Sequence, residues 1–265
     1  MINNSRFFSV LLAVAAGIGI GNIWSYPYLS HKTTGLLFIP YFIALAVLAM
    51  PLLMLEFSIG QHFNKNAVDL FASIRKRFSS IGWLMVFNAF IVMSFYAVVL
   101  SWHIIYIFAS FGLQWENDAK SYFFSNVIQA SDSFRGFTQF SLPVFIALIL
   151  AWLLLFIYIR KGYESMKKAI LATFPILIVL LLVFFSYTLT LDNALHGVYS
   201  FLKPDLKSLL DLNVWSSSFS LAILSLGISF GIMHAIGRRG KGFIVGNSFI
   251  VAMSELLISI AIGLI

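Results

Sequence analysis

Long apolar runs separated by short polar ones set the pattern of this chain. Seven stretches, at about 7–29, 35–60, 81–112, 140–160, 168–190, 214–236 and 243–265, carry almost no charge. As helices, each is long enough to cross ~30 Å of hydrocarbon. The pattern predicts an all-α integral membrane protein, with about seven transmembrane helices in a single transmembrane domain over residues 1–265. Two of the seven are irregular. Span 1 reads Gly17-Ile18-Gly19-Ile20-Gly21-Asn22-Ile23-Trp24-Ser25-Tyr26-Pro27, and glycines at alternate positions followed by Asn and Pro make a poor continuous helix. Span 6 carries Ser225-Leu226-Gly227-Ile228-Ser229-Phe230-Gly231, with two hydroxyls and two glycines in seven residues. Backbone unwound at mid-membrane depth is tolerated only where it is buried in protein or lines a cavity. Small residues also serve close helix packing, but Asn22 adds an oxygen ligand directly after the glycines. Two interrupted spans in one chain point to a transporter binding site.

Composition strengthens the membrane reading. Hydrophobic residues make up 60% of the 265, charged ones 10%, and the mean hydropathy is +0.95; a soluble domain of this size could not hide that much apolar surface. There is no cysteine, which excludes disulfides and thiolate metal sites. The first run is not a cleavable signal peptide, being too long and broken by Asn22 and Pro27. The net charge of +7 does not mark a nucleic-acid partner, because the basic residues fall in short connections between spans.

Those basic residues set an orientation. Arg6, Lys65, Arg75, Lys76, Arg77, Arg160, Lys161, Lys167, Lys168, Arg238, Arg239 and Lys241 fall on one side, 12 in all, against 5 on the other (Lys32, Lys120, Arg135, Lys203 and Lys207). The excess predicts a cytoplasmic N-terminus and an outward C-terminus, in a multi-pass protein of the cell (inner) membrane. The outer connections at about 113–139 and 191–213 read as ordinary solvated loops. The last run reaches Ile265 in mid-apolar sequence, without flanking anchors. The expectation is therefore a truncated chain whose partner is a separate C-terminal half.

Only Glu56 and Glu255 place carboxylates well inside the spans, where a charge is costly and marks a functional or paired group. Glu56 is expected to be structurally paired near the cytoplasmic break. Glu255, with Ser254 and Ser259 nearby, is expected to bind an ion, since hydroxyl and carboxylate oxygens suit a hard cation. Tyr96 reads as a packed aromatic or a hydroxyl aimed at a ligand. His103 and His234 read as interfacial or satisfied rather than metal-binding. Gly227-Ile228-Ser229-Phe230-Gly231 also fits G-x-S-x-G, a nucleophile elbow, but that motif needs a strand-to-helix turn and here lies within an apolar span. An intramembrane serine protease is the remote alternative, and no enzyme is expected.

Gly19-Ile20-Gly21-Asn22-Ile23-Trp24-Ser25-Tyr26-Pro27-Tyr28-Leu29 resembles the first-span signature of the neurotransmitter:sodium symporter family, with the leucine-transporter fold. The likeness continues through Phe38-Ile39-Pro40-Tyr41, Pro51 to Glu56 and Gly60, Phe95-Tyr96 to Ser101-Trp102, and the span 6 break. The resemblance implies a sodium-coupled symporter of an amino acid or related small amine, working by alternating access. It also implies that this chain holds the first inverted repeat and the start of the second. By the same likeness one sodium ion would be held by the Gly17 carbonyl, Asn22, Ser225 and Glu255. If Ser254 is the matching position instead, Glu255 is a neighbour of the site. Ser259 falls where chloride-dependent members carry a serine, and chloride dependence stays open. Amides near Ile20 and Gly21 and the Tyr96 hydroxyl would meet a substrate carboxylate, with Val92, Leu224, Gly227 and Phe230 lining the side-chain pocket. Three departures stand out. Ser25 replaces the outer-gate arginine, the inner-gate Arg and Trp are missing, and a second sodium site retains only the Ala15 and Ile18 carbonyls. A fragment that inserts but transports nothing without its C-terminal half is the alternative reading.

Overall fold

The computed structural model describes residues 4–19, 21–32, 37–130, 141–202, 209–240 and 242–265, and among them there are helices and turns but no strand. Among the described residues five helices are long and apolar enough to cross a membrane, or six if the pair Arg6–Gly17 and Gly21–His31, bent by 47°, is one span, fewer than the seven expected. The helices form two compact units, residues 1–86 with 170–265, and residues 87–169.

In the first unit, α1 (Asn4–Gly17) stops where the glycines begin, a π-helical turn Gly21–Ser25 follows, and α2 (Tyr26–Lys32) completes span 1. Next comes α3 (Phe38–Phe63), which widens into a π-turn at Leu45–Ala49 just before Met50-Pro51. Proline lacks the N–H of the regular ladder and its ring crowds the preceding turn, so the wider turn absorbs the misfit. Asn64 ends the helix in the left-handed conformation, which asparagine tolerates.

The short α4 (Ala67–Ile74) starts on Asn66, whose side chain accepts the Asp69 N–H at 2.9 Å. It lies directly on the start of α5 (Ser79–Ser110), because a Cβ at Gly82 would stand 2.5 Å from the Val68 Cα. At 32 residues, α5 is roughly 48 Å long, more than the hydrocarbon requires.

Beyond Phe87 the second unit takes over. It holds the rest of α5, a helical turn at Ala119–Tyr122 and α6 (Leu142–Ile159). An aromatic cluster organises it: Trp102 meets Phe123 edge-on at 5.2 Å, and Tyr106 contacts Trp115 and Tyr122. On α6 the small residues Ala147 and Ala151, one turn apart, are the buried ones.

The following helix, α7 (Tyr163–Thr188), starts five residues before the apolar run. Its first turns carry Glu164, Lys167 and Lys168, charged residues that extend the helix beyond the hydrocarbon. No residue of its apolar window is buried, as for a helix facing lipid. The connection after it contains α8 (Ala194–Leu202).

Span 6 is divided into α9 (Leu212–Ser225) and α10 (Ile232–Gly237), and α11 (Ile244–Gly263) forms span 7. Between α9 and α10 the chain unwinds through left-handed residues at Gly227, Ser229 and Gly231. Glycine takes that conformation freely but serine does not. Against α10, α3 lies backbone to backbone: a Cβ at Gly237 would be 2.9 Å from the Phe57 Cα, and one at Gly60 would overlap the His234 carbonyl.

Candidate functional site

The two broken spans meet over a polar cluster in the first unit. Asn22, in the π-turn after α1, is fully buried, and its side chain faces two ways. Its Oδ1 accepts the Gly19 N–H at 3.1 Å, replacing a backbone bond lost in the unwound glycines. Its Nδ2 donates to Glu255 Oε1 at 2.6 Å and to Ser259 Oγ at 2.7 Å. Glu255 and Ser259 stand one turn apart on α11, and the serine hydroxyl donates to the same Oε1 at 2.9 Å.

The Tyr41 hydroxyl, from α3, donates to Oε1 as well and lies 3.1 Å from Ser225 Oγ. Ser225 is the last residue of α9, and Gly17 ends α1 beside it: a Cβ at Gly17 would touch the Ser225 carbonyl oxygen at 3.5 Å. Tyr26, from α2, stacks edge-on over Tyr41 with centroids 5.2 Å apart and fixes the ring that carries the donor.

Side chains from three elements thus converge on one carboxylate oxygen, and Ser225 of α9 joins through Tyr41. Glu255 is fully buried, its donors are side chains without positive charge, and its Oε2 has no hydrogen-bond partner. Desolvating a carboxylate costs several kcal/mol, and each of the three donors returns about 1.5–3 kcal/mol. All of these donors reach Oε1, so the buried Oε2 is the oxygen of this carboxylate without a hydrogen bond. Of the two alternatives on α11, Glu255 enters the cluster, whereas Ser254 is only half-buried.

Other sequence candidates lie elsewhere. Ala15 stands in the last turn of α1 and Ile18 just past its end, with no hydrogen bond to the cluster. Gly21 is buried at the π-turn, where a Cβ would meet Leu221 at 3.5 Å. Gly227 is buried in the span 6 break; Phe230 is half-buried there and Leu224 more exposed. Val92 and Tyr96 are one turn apart on α5 in the second unit, Tyr96 resting edge-on against Phe95 at 6.0 Å. Ile20 lies outside the described residues.

Glu56 is structurally paired, as expected: its Oε1 accepts the Ser229 N–H at 2.7 Å and holds that strained residue. The G-x-S-x-G stretch therefore lies in an unwound break between two helices, rather than inside a helix or after a strand. His103 is satisfied by the Val99 carbonyl at 2.7 Å. His234, expected to be interfacial or satisfied, is instead buried with Nε2 unbonded. Tyr41 escaped notice as a site residue, although a phenol in an otherwise apolar run was its signal.

Similarity to known proteins agrees with this geometry. The model of the sodium:neurotransmitter symporter family matches residues 3–119 and 114–265. The chain belongs to that family. Among its relatives is an uncharacterized sodium-dependent transporter of Methanocaldococcus jannaschii, 32% identical over 237 residues, covering 88% of this chain and 48% of the relative. A sodium- and chloride-dependent GABA transporter 2 of Mus musculus is 29% identical, covering 90% and 45%. A sodium-dependent neutral amino acid transporter of Homo sapiens is 27% identical, covering 90% and 36%. The chain spans less than half the length of these relatives. All three are transporters by name, which leaves the protease reading without support.

Proposed function

We propose that this chain is the N-terminal part of a sodium-coupled symporter for an amino acid or related small amine, working by alternating access in the cell membrane with its N-terminus cytoplasmic. The buried Glu255 carboxylate carries the reading, with one oxygen open and no cation among its partners. In this proposal sodium takes the place beside Oε2, with the Asn22, Ser225 and Tyr41 side chains and the Gly17 carbonyl around it. The Ala15 and Ile18 carbonyls are the part of a second sodium site that lies in this chain. The substrate is placed at the breaks, against Ile20, Gly21, Gly227, Leu224 and Phe230. Free amides at a helix start suit its carboxylate.

Uptake of labelled amino acids into vesicles containing the complete gene product tests the reading. An inward sodium gradient should drive accumulation, and equal uptake with potassium in its place overturns the proposal. A second reading is a fragment that inserts but transports nothing unless a separate C-terminal half is supplied; the chain covers 48% and 45% of the length of two of its relatives. That reading expects no uptake by the chain alone and recovery when the missing half is supplied.

A further inference from the structure

The connection between α3 and α5 holds a group of charges that transport does not use. Both helices are long and apolar enough to cross the membrane, so α4, which joins their ends, lies at the bilayer surface. Its residues fall on two faces. Leu70, Phe71 and Ile74 share one side of the helix, Asp69 and Ser73 the other. Along the apolar side Leu70 is buried, Phe71 half-buried and Ile74 54% exposed. A helix with that gradient lies in the interface with its open apolar end toward the acyl chains. It is firmly seated, because its Val68 backbone crosses α5 at Gly82 with no room for a Cβ.

Basic residues flank this helix, Lys65 before it and Arg75, Lys76 and Arg77 after it, and all are exposed. Arg75 leaves the helix with extended backbone, at φ −152° and ψ 136°, and Lys76–Phe78 turns as a short 3-10 helix, so three cations follow around one corner. Among the described residues none of the four forms an ion pair. Asp69, the only carboxylate of the connection, accepts instead from Asn66 Nδ2 at 2.6 Å. The positive-inside rule explains the sign of these charges, but not their gathering beside an interfacial helix. We propose that Arg75, Lys76 and Arg77 bind the headgroup of an anionic phospholipid in the leaflet on the N-terminal side, with its acyl chains along Ile74 and the exposed Ile81 and Leu84 of α5. The two guanidinium forks suit a phosphate, and Lys65 adds its charge from the far end of α4. The bound lipid holds α4 and the turn into α5 against the bilayer. The site stands whether or not the transport reading does.

The full chain is reconstituted in nanodiscs containing phosphatidylglycerol and phosphatidylcholine in equal amounts, and the lipids it retains on release are counted by native mass spectrometry. The parent should retain phosphatidylglycerol over phosphatidylcholine about tenfold, the pull of a few basic residues after screening. Arg75→Gln, Lys76→Gln and Arg77→Gln together should lower that preference to about twofold. Arg160→Gln, Lys161→Gln and Lys168→Gln remove equal charge from the turn between α6 and α7 and should leave most of it. Equal loss in the two triple variants assigns the preference to diffuse charge and overturns the site, as does an unchanged preference in the first. Arg75→Lys with Arg77→Lys keeps the charges that set orientation and serves if the first triple variant inserts poorly. It should lower the preference about threefold, because lysine lacks the phosphate-matching fork; no change there also overturns the site. Glycerol 3-phosphate in large excess should not displace the retained lipid. If it does, the site takes a soluble anion and the lipid assignment falls.

Discussion

Glu56 and Glu255 are both carboxylates buried in membrane-spanning helices, and their surroundings assign them different work. Glu56 on α3 accepts the Ser229 backbone N–H and lies against the His234 amide in the first turn of α10. Its partners are main-chain amides, and the bond supports a serine in the left-handed conformation. Glu255 accepts from the side chains of Asn22, Tyr41 and Ser259, which come from three elements. Each leaves Oε2 without a hydrogen bond. At Glu56 the amide dipoles of a helix start face the charge; at Glu255 only neutral side chains do. A carboxylate bound to backbone props up a fold, whereas the sodium site we propose rests on one bound by side chains alone.

Substitutions separate the two roles. The largest effect is expected for Glu255→Gln, which keeps the shape and removes the charge. Sodium should then bind about 100-fold more weakly, ~3 kcal/mol, read as loss of sodium-dependent thermal stabilisation in nanodiscs. Gly60→Ala strikes the frame that presents Glu56, forcing a methyl against the His234 carbonyl. It should lower stability by about 2 kcal/mol, seen as a lower unfolding temperature in sodium and in potassium alike. Glu56→Gln still accepts the Ser229 N–H but loses the charge facing the amides. A stability loss of about 1 kcal/mol is expected, with sodium affinity changed less than threefold; a larger change in affinity would erase the contrast. The smallest effect is expected for Ser259→Ala, one donor among three, at about fivefold in sodium affinity.

Five spans were legible because each is an uninterrupted apolar run, and the breaks because Gly17, Gly19, Gly21 and Asn22, then Ser225 to Gly231, contradict a helix. Intramembrane position alone singled out Glu56 and Glu255. Their partners were not legible. Nothing local says that Tyr41 on span 2 reaches a carboxylate on span 7, or that Glu56 takes the amide of a residue 173 positions away. The packing glycines were equally silent, since Gly60, Gly82 and Gly237 matter only through the backbone that crosses them. The early start of α7 was hidden by its charges. Local polarity shows where a helix is interrupted, but the three-dimensional neighbour decides what the interruption is for.

Saturable binding of radioactive sodium to the full chain in nanodiscs, measured side by side for the parent, Glu255→Gln and Glu56→Gln, tests the central claim most directly. Saturable binding by the parent and by Glu56→Gln, with none by Glu255→Gln over the same concentrations, is the result predicted. Equal binding by all three would contradict it and place the ion elsewhere.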